Sequence, residues 1–331
     1  MSTPVATNSV AEATTVSRGP RRAGRLTGFM PLIALVALMA ALTAVDPDFL
    51  TQRSLTAALR TAAPLIVLAA GATIVVLCGG IDLSFAALAS LSTVLLALWL
   101  PHLGGLATPA VILIAAAIGA VQGTAHVLLR IPSFIVTLGG MSILSAIALV
   151  VSGAGTVRVV DDSTVTWLDL YIGGYIPTSA AMAILLVALI AVVLKVTPLQ
   201  SWVSATGYSE SAARLAGTPV DLVKIGAFCL SGACAGFAAV MLVSRQFSGG
   251  PTMADNLLLP AVAAIVVGGT AITGGHGSVW RSLAGALVVT LLRVGLPIVG
   301  VPSAYEQILY GAIIVVAVAL TLDGSKVSTI K

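Results

Sequence analysis

Long apolar runs, separated by short polar or glycine-rich segments, fill the chain from residue 27 onward. Crossing a bilayer as a helix takes about 20 apolar residues. Runs near that length fall at about 27–45, 62–78, 83–100, 105–129, 134–151, 178–196, 223–243, 259–273, 280–296 and 304–321. The pattern predicts an all-α polytopic membrane protein with about ten transmembrane helices, some of them broken. Ahead of the runs, residues 1–26 are rich in Ser, Thr and Ala and carry Arg18, Arg21, Arg22 and Arg25. They read as a disordered basic cytosolic tail. The apolar run that follows lacks a small-residue cleavage site, so the first helix is expected to be retained rather than removed as a signal. Residues 27–322 then form one transmembrane domain, and 323–331 a short cytosolic tail.

Composition agrees with lipid as the main solvent. Of 331 residues 58% are hydrophobic and 8% charged, with a mean hydropathy of +1.10; a soluble domain carries about 25% charged residues. The 33 glycines suit helices that approach closely in lipid, where packing drives association. The net charge of +4 gives no case for nucleic acid, because orientation explains the basic residues better. With the N-terminus inside, ten crossings put Arg130, Lys195, Arg214, Lys224, Arg281, Lys326, Lys331 and the four tail arginines on the cytosolic side. Arg53, Arg60, Arg158 and Arg245 fall outside, and Arg293 lies within a run. Eleven against four supports cytosolic N- and C-termini. Cys78, Cys229 and Cys234 sit in apolar runs without metal or disulfide spacing and read as packing residues.

The polar interruption Ser204–Lys224 then faces the cytosol. Ser209 can cap a short helix starting at Glu210, and Gly217 can end it in a left-handed turn. Thr218 resembles a second N-cap, with Pro219 at the first helical position and Asp221 three residues after the cap. This predicts a compact pair of short helices joined at a glycine. An ordinary inter-helix loop with good caps fits the same residues. The longest outer loop, Ser152–Pro177, carries Asp161, Asp162, Trp167, Asp169 and Tyr171; it reads as a solvated connector or as an outer docking surface.

Two breaks interrupt the apolar pattern. Gly79, Gly80, Asp82 and Ser84 form the first. An aspartate at the centre of a membrane helix costs about 2.5–3.5 kcal/mol on insertion scales, so Asp82 should face the interior or a watery cavity. Gly79 and Gly80 can end one helix, and Asp82 or Ser84 can cap the next. That role is structural; a place beside a translocation path is the functional one. Gly268, Gly269, Gly274 and Gly275 mark the second break, where His276 reads as an interfacial histidine. The segment from Ser244 with Gly249, Gly250, Pro251 and Asp255 would face outward, as connector or gate. Glu306 and Gln307 suit the positive end of a helix dipole. Gln122, His126 and Arg293 could line a polar path or bond helix to helix.

Against this background, ATGYSESAARLAGTPVDLVKI resembles the cytosolic coupling segment of bacterial ABC importer permeases of the ribose-type sugar family (ribose, xylose, arabinose, galactoside). Gly207, Glu210, Ala212 or Ala213, Arg214, Leu215 and Gly217 fit that family's Gly-x-x-Glu-x-Ala-x-Arg-x-x-Gly run. ATIVVLCGGIDLSFAALASLS, IPSFIVTLGGMSI, AAIVVGGTAITGGHGSVW and GVPSAYEQILYGAIIVVAVAL also match in order. Phe85–Ala86 and Tyr208–Ser209 depart from the usual Val-Gly and Gly-Asn. The resemblance implies a cytosolic coupling helix pair that docks into a separate ATPase subunit. It also implies a second permease copy or paralogue, an extracytoplasmic solute-binding protein, a small sugar or polyol as cargo, and a bacterial inner membrane as the setting.

No G-x-x-x-x-G-K-[S/T] loop occurs, and none of the four lysines follows a glycine. No cofactor is therefore expected in this chain; ATP and Mg would be bound by the partner ATPase. An ion-coupled secondary transporter also uses broken helices, but acidic groups within the runs are few beyond Asp82. A membrane enzyme would need a cluster of catalytic side chains that the sequence does not present.

Overall fold

The computed structural model describes residues 30–159 and 164–321. Arg18, Arg21, Arg22, Arg25, Asp161, Asp162, Lys326 and Lys331 lie outside the described residues, as do the predicted tails. The helices are α1 (Met30–Val45), α2 (Gln52–Leu77), α3 (Phe85–Leu103), α4 (Ala107–Leu129), α5 (Ser133–Val151), α6 (Thr178–Val196), α7 (Leu199–Tyr208), α8 (Glu210–Leu215), α9 (Val220–Gln246), α10 (Leu258–Val267), α11 (Val279–Ile298) and α12 (Glu306–Thr321). Four two-residue strands pair antiparallel outside the helices: β1 (Val157–Arg158) with β4 (Ser248–Gly249), and β2 (Tyr171–Ile172) with β3 (Ile176–Pro177).

Six helical stretches among the described residues are long and apolar enough to cross a membrane. One of them, Phe85–Leu129, is 45 residues long and holds both α3 and α4 with a tight turn at Gly104–Leu106. Three further apolar helices are shorter. Helix length thus gives fewer crossings than the ten runs predict. The clearest difference is the run 259–273. Its helix, α10, has 10 residues, which rise only about 15 Å against a hydrocarbon core of about 30 Å. The helix stops early because Gly269 turns left-handed at φ +76°. Its amide reaches the Val266 carbonyl, and the Thr270 amide the Ile265 carbonyl, a Schellman closure that a purely apolar count cannot register.

The core is built on backbone contact. α2 and α9 are buried over most of their length, whereas α5 and α6 lie at the periphery. α4 and α9 form the most extensive helix pair. Each carries two glycines four residues apart: Gly119 meets Gly232, Gly123 packs on Ile225 and Phe228, and Gly236 packs on Ile112 and Ala115. A Cβ on Gly119 would lie 2.2 Å from the Phe228 carbonyl oxygen, and one on Gly232 2.2 Å from that of Ala115. Contacts on α9 run backward as α4 advances, so the pair is antiparallel. With lipid as alternative solvent, such dispersion contact replaces the hydrophobic effect as the force that joins helices.

Candidate functional site

Both predicted breaks and the predicted coupling segment converge at one end of the bundle. α2 ends at Cys78 and Gly79, the latter at φ +78°. The Gly79 amide bonds the Val76 carbonyl at 2.9 Å and the Gly80 amide the Val75 carbonyl at 3.0 Å, again a Schellman closure. The freed backbone beyond it is satisfied by α5. Ser133 Oγ accepts the Ile81 amide at 2.9 Å, and the Thr137 hydroxyl donates to the Ile81 carbonyl at 3.3 Å. An unwound segment inside a membrane protein must find such partners.

Asp82 is 7% exposed and closes the break. One oxygen accepts the Ser84 amide at 2.8 Å and the Ser84 hydroxyl at 2.7 Å; the other accepts the Ser231 hydroxyl of α9 at 2.7 Å. Ser84 Oγ also stands 2.7 Å from the Gln122 side-chain amide of α4. One hydroxyl proton cannot serve two acceptors. The carboxylate takes it, and the Gln122 amide completes the contact by turning its NH2 toward Ser84. Asp82 and Ser84 therefore do not cap α3 in the predicted way, since neither side chain bonds an amide within that helix. Asp82 instead bonds the amide of Ser84, the residue before α3, and joins three helices through their polar groups. Ser231, unremarked in the sequence, is the partner that a lone serine in an apolar run could have signalled.

The second break lies against the first. The Gly275 amide donates to the Leu77 carbonyl at 2.9 Å. Gly274 and Gly275 are left-handed, at φ +88° and +77°. A Cβ on Gly274 would sit 2.8 Å from the Gly79 backbone. Gly268 packs on α11, where a Cβ would meet the Arg281 carbonyl oxygen at 2.6 Å, while Gly269 faces open space. Deeper in, the Thr73 hydroxyl lies 2.8 Å from that of Ser282, linking α2 to α11.

Gly207, at the end of α7, is seated on both breaks. A Cβ there would lie 2.0 Å from the Leu77 carbonyl oxygen and 2.3 Å from the Gly275 amide nitrogen. The adjoining Tyr208 ring covers Gly275. Only a glycine permits this approach.

Beyond it, Ser209 turns extended at φ −162° and caps α8 through the Ala212 amide. Ala213 is the buried foot of α8, at 3% exposure. Gly217, at φ +80°, ends α8 as predicted. Two other expectations are corrected. Pro219, not Thr218, stands at the N-cap of α9, with no side-chain cap bond, while the Thr218 amide closes back on the Ala213 carbonyl, so Thr218 finishes α8 rather than capping α9. Pro219 sits at φ −77°, ψ 68° with Val220 bonded to Thr218, an inverse γ-turn, so Pro219 precedes the helix instead of opening it. The pair of short helices, α7 and α8, meets at Ser209, and the glycine leads into the 27-residue α9.

Four charges lock α8 to the start of α9. Arg214 bonds Glu210 at 2.9 Å and also Asp221, and Lys224 reaches Glu210 at 2.5 Å. The Lys224 ammonium first, and Arg214 after it, hold the Glu210 carboxyl below its ordinary value; Asp221 and then Glu210 hold the Arg214 guanidinium above its own. Exposed ion pairs add little stability, so their effect here is to fix geometry. The network walls a cleft of about 750 Å³ whose opposite side is the α4–α5 turn with His126 and Arg130. Leu215 projects from the knob at 91% exposure, and Tyr208 is also exposed.

At the opposite end, Ser90 of α3 donates to Asp255 at 2.8 Å, and Gly249 abuts the Thr93 carbonyl. The segment after α9 is thus held on α3. Arg293 pairs with Glu306 at 3.3 Å, which accounts for both groups without a polar path.

Residues 54–318 match the model of a family described as "Branched-chain amino acid transport system / permease component". The chain belongs to this permease family. Relatives include "Probable ABC transporter permease protein YphD" of Escherichia coli K12, 35% identical over 88% of this chain and 87% of that protein. "Ribose import permease protein RbsC" of Haemophilus influenzae is 32% identical over 86% and 90%. "Fructose import permease protein FrcC" of Rhizobium meliloti is 32% identical over 88% and 84%. The permease is a multi-pass membrane protein of the ABC import type, and the ribose-type resemblance agrees with these relatives.

Proposed function

We propose that this chain is the transmembrane subunit of an ATP-binding-cassette importer, moving a monosaccharide or related small polar solute into the cytoplasm. A separate ATPase docks on the segment 204–224, a solute-binding protein delivers cargo outside, and a second permease copy or paralogue completes the path. Both termini lie in the cytosol of a bacterial cell with the permease in its inner membrane, and the broken helices around Gly79 and Gly274 contribute to about ten crossings.

The observation that carries this reading is the seat of Gly207 on both helix breaks. Force applied to Leu215 and Tyr208 reaches α2 and the second break through backbone contact, with no flexible side chain between. The ion pairs of Glu210 and Arg214 make α8 and the start of α9 move as one piece. An ion-driven carrier would keep a free interior carboxylate, whereas both oxygens of Asp82 are engaged.

Reconstitution with an ATPase and a sugar-loaded binding protein in proteoliposomes tests the proposal. ATP-dependent sugar uptake that persists with ionophores is expected. Uptake that follows an imposed proton or sodium gradient without ATP would refute it.

A further inference from the structure

At the end of α2 away from Gly207, the hairpin β2–β3 carries exposed apolar side chains in a fixed shape. Gly173 and Gly174, at φ +63° and +79°, make its two-residue turn, and the Tyr175 amide closes on the Ile172 carbonyl at 3.2 Å. Two residues of α2 hold it. Arg60 pairs with Asp169, donates to the Tyr171 hydroxyl at 2.9 Å and lies over the Tyr171 ring at 5.4 Å from its centroid. Gln52 donates to the Gly174 carbonyl at 2.8 Å. The hairpin therefore runs along α2 from the level of Arg60 to that of Gln52, eight residues that rise about 12 Å.

That height decides what meets the tip. The base of the hairpin lies at the start of α6, where the Thr178 amide bonds the Leu170 carbonyl at 2.9 Å. α6 has 19 residues, about 28 Å of helix, which only just fills a hydrocarbon core of about 30 Å. The base thus sits at the edge of the hydrocarbon. The tip stands about 12 Å further out, past a headgroup layer of about 5–8 Å. Tyr175, beside the turn, is 66% exposed, and Ile172 and Ile176 are exposed below it. Apolar side chains held together in water mark an interaction surface. A cleft of about 400 Å³ lies between Tyr171, Gly174 and the first turn of α2, lined also by Arg53 and Thr56. Arg53 is exposed, and its side chain makes no hydrogen bond or ion pair among the described residues. No acidic residue lines the cleft.

We infer that the β2–β3 tip and Arg53 together seat the solute-binding protein, a water-soluble partner that offers an apolar patch to Ile172 and Tyr175 and a carboxylate to Arg53. Tyrosine and arginine in a preformed setting are the material of binding hot spots. An unpaired guanidinium takes a carboxylate through two parallel hydrogen bonds. A second permease copy packs through the bilayer, below the tip. The assignment rests on the transport reading, which puts the binding protein on this side of the membrane.

Two measurements test the inference. A bimane label on Tyr175→Cys, in a full chain whose three cysteines are replaced by alanine and held in nanodiscs, should be quenched by aqueous iodide rather than by a lipid with a nitroxide headgroup. The reverse would make the tip a membrane anchor and overturn the inference. The second measurement titrates the sugar-loaded binding protein of the uptake assay onto the importer in proteoliposomes. Arg53→Glu and Tyr175→Ala should each raise the concentration that gives half-maximal uptake about tenfold, the scale of a hot-spot loss, with a smaller change in the rate at saturation. Melting temperatures of the purified variants report folding. Saturation of both folded variants at the wild-type concentration would overturn the inference and leave the transport reading standing. Failure of every loaded binding protein to stimulate the wild type would remove both.

Discussion

Gly207 and Gly275 meet backbone to backbone, with only 2.3 Å between a Cβ built on the first and the amide nitrogen of the second. Sixty-eight positions apart in the chain (275 − 207), they join the segment proposed to face an ATPase to a break in the membrane helices. A methyl group there would have to displace backbone atoms, which cannot yield as a flexible side chain can.

Gly207→Ala should therefore uncouple. Sugar uptake by the assembled importer is expected to fall at least about tenfold, the effect of a barrier change near 1.4 kcal/mol. Basal ATP hydrolysis should continue. Gly217→Ala is the control: its left-handed φ costs about 1–2 kcal/mol locally, but nothing stands near its Cβ, so uptake should change less. Equal loss in both variants would remove the special place given to Gly207.

Asp82→Asn should cost about 1–3 kcal/mol, because the new NH2 faces a donor hydroxyl and leaves it unpaired. The melting temperature of the purified chain should fall, and Ser231→Ala should fall less. An uptake rate that tracks an imposed proton gradient in the parent and not in Asp82→Asn would instead assign Asp82 a relay role.

The knob should also report pH. Lys224 and Arg214 depress the Glu210 carboxyl from its usual 4.5. Its stabilising contribution is therefore complete above that value and is lost as pH falls through the lower folded value. Spin labels on α8 and α9 should keep a fixed separation from pH 7 down to about 4.5 and drift apart only below it, as pH passes the depressed folded value. Loosening between pH 8 and 6 would contradict the pairing.

Gly232→Leu should prevent α4 from seating on α9. Overpacking usually costs about 1–3 kcal/mol, and here the obstacle is the Ala115 backbone, so the upper end applies. Detergent extraction should give aggregated rather than monodisperse protein, while Gly311→Ala, in open space, should elute normally.

Much of this architecture was readable in the chain. Apolar runs mark the helices because lipid demands them, and Gly79, Gly217 and Gly269 mark stops because left-handed turns favour glycine. Boundaries failed where chemistry changes without the helix changing. α2 begins at Gln52, ten residues before its apolar run, since Gln52–Arg60 is helical but polar. Thr218 misled because α9 opens one residue later than its pattern suggests, at Val220 with Pro219 in the cap position. The paired glycines of α4 and α9 carried a visible four-residue spacing that a search for polar groups passed over. The meeting of Gly207 with Gly275 and Leu77 could not be read at all, because no local pattern encodes which distant backbones touch.

The central claim is that the knob faces the motor in the cytosol. It is tested most directly by labelling Leu215→Cys, in a chain whose three native cysteines are replaced by alanine, with a membrane-impermeant thiol reagent. Inverted membrane vesicles should label fully and sealed cells should not. Labelling from outside sealed cells would place Leu215 away from any ATPase and contradict the account.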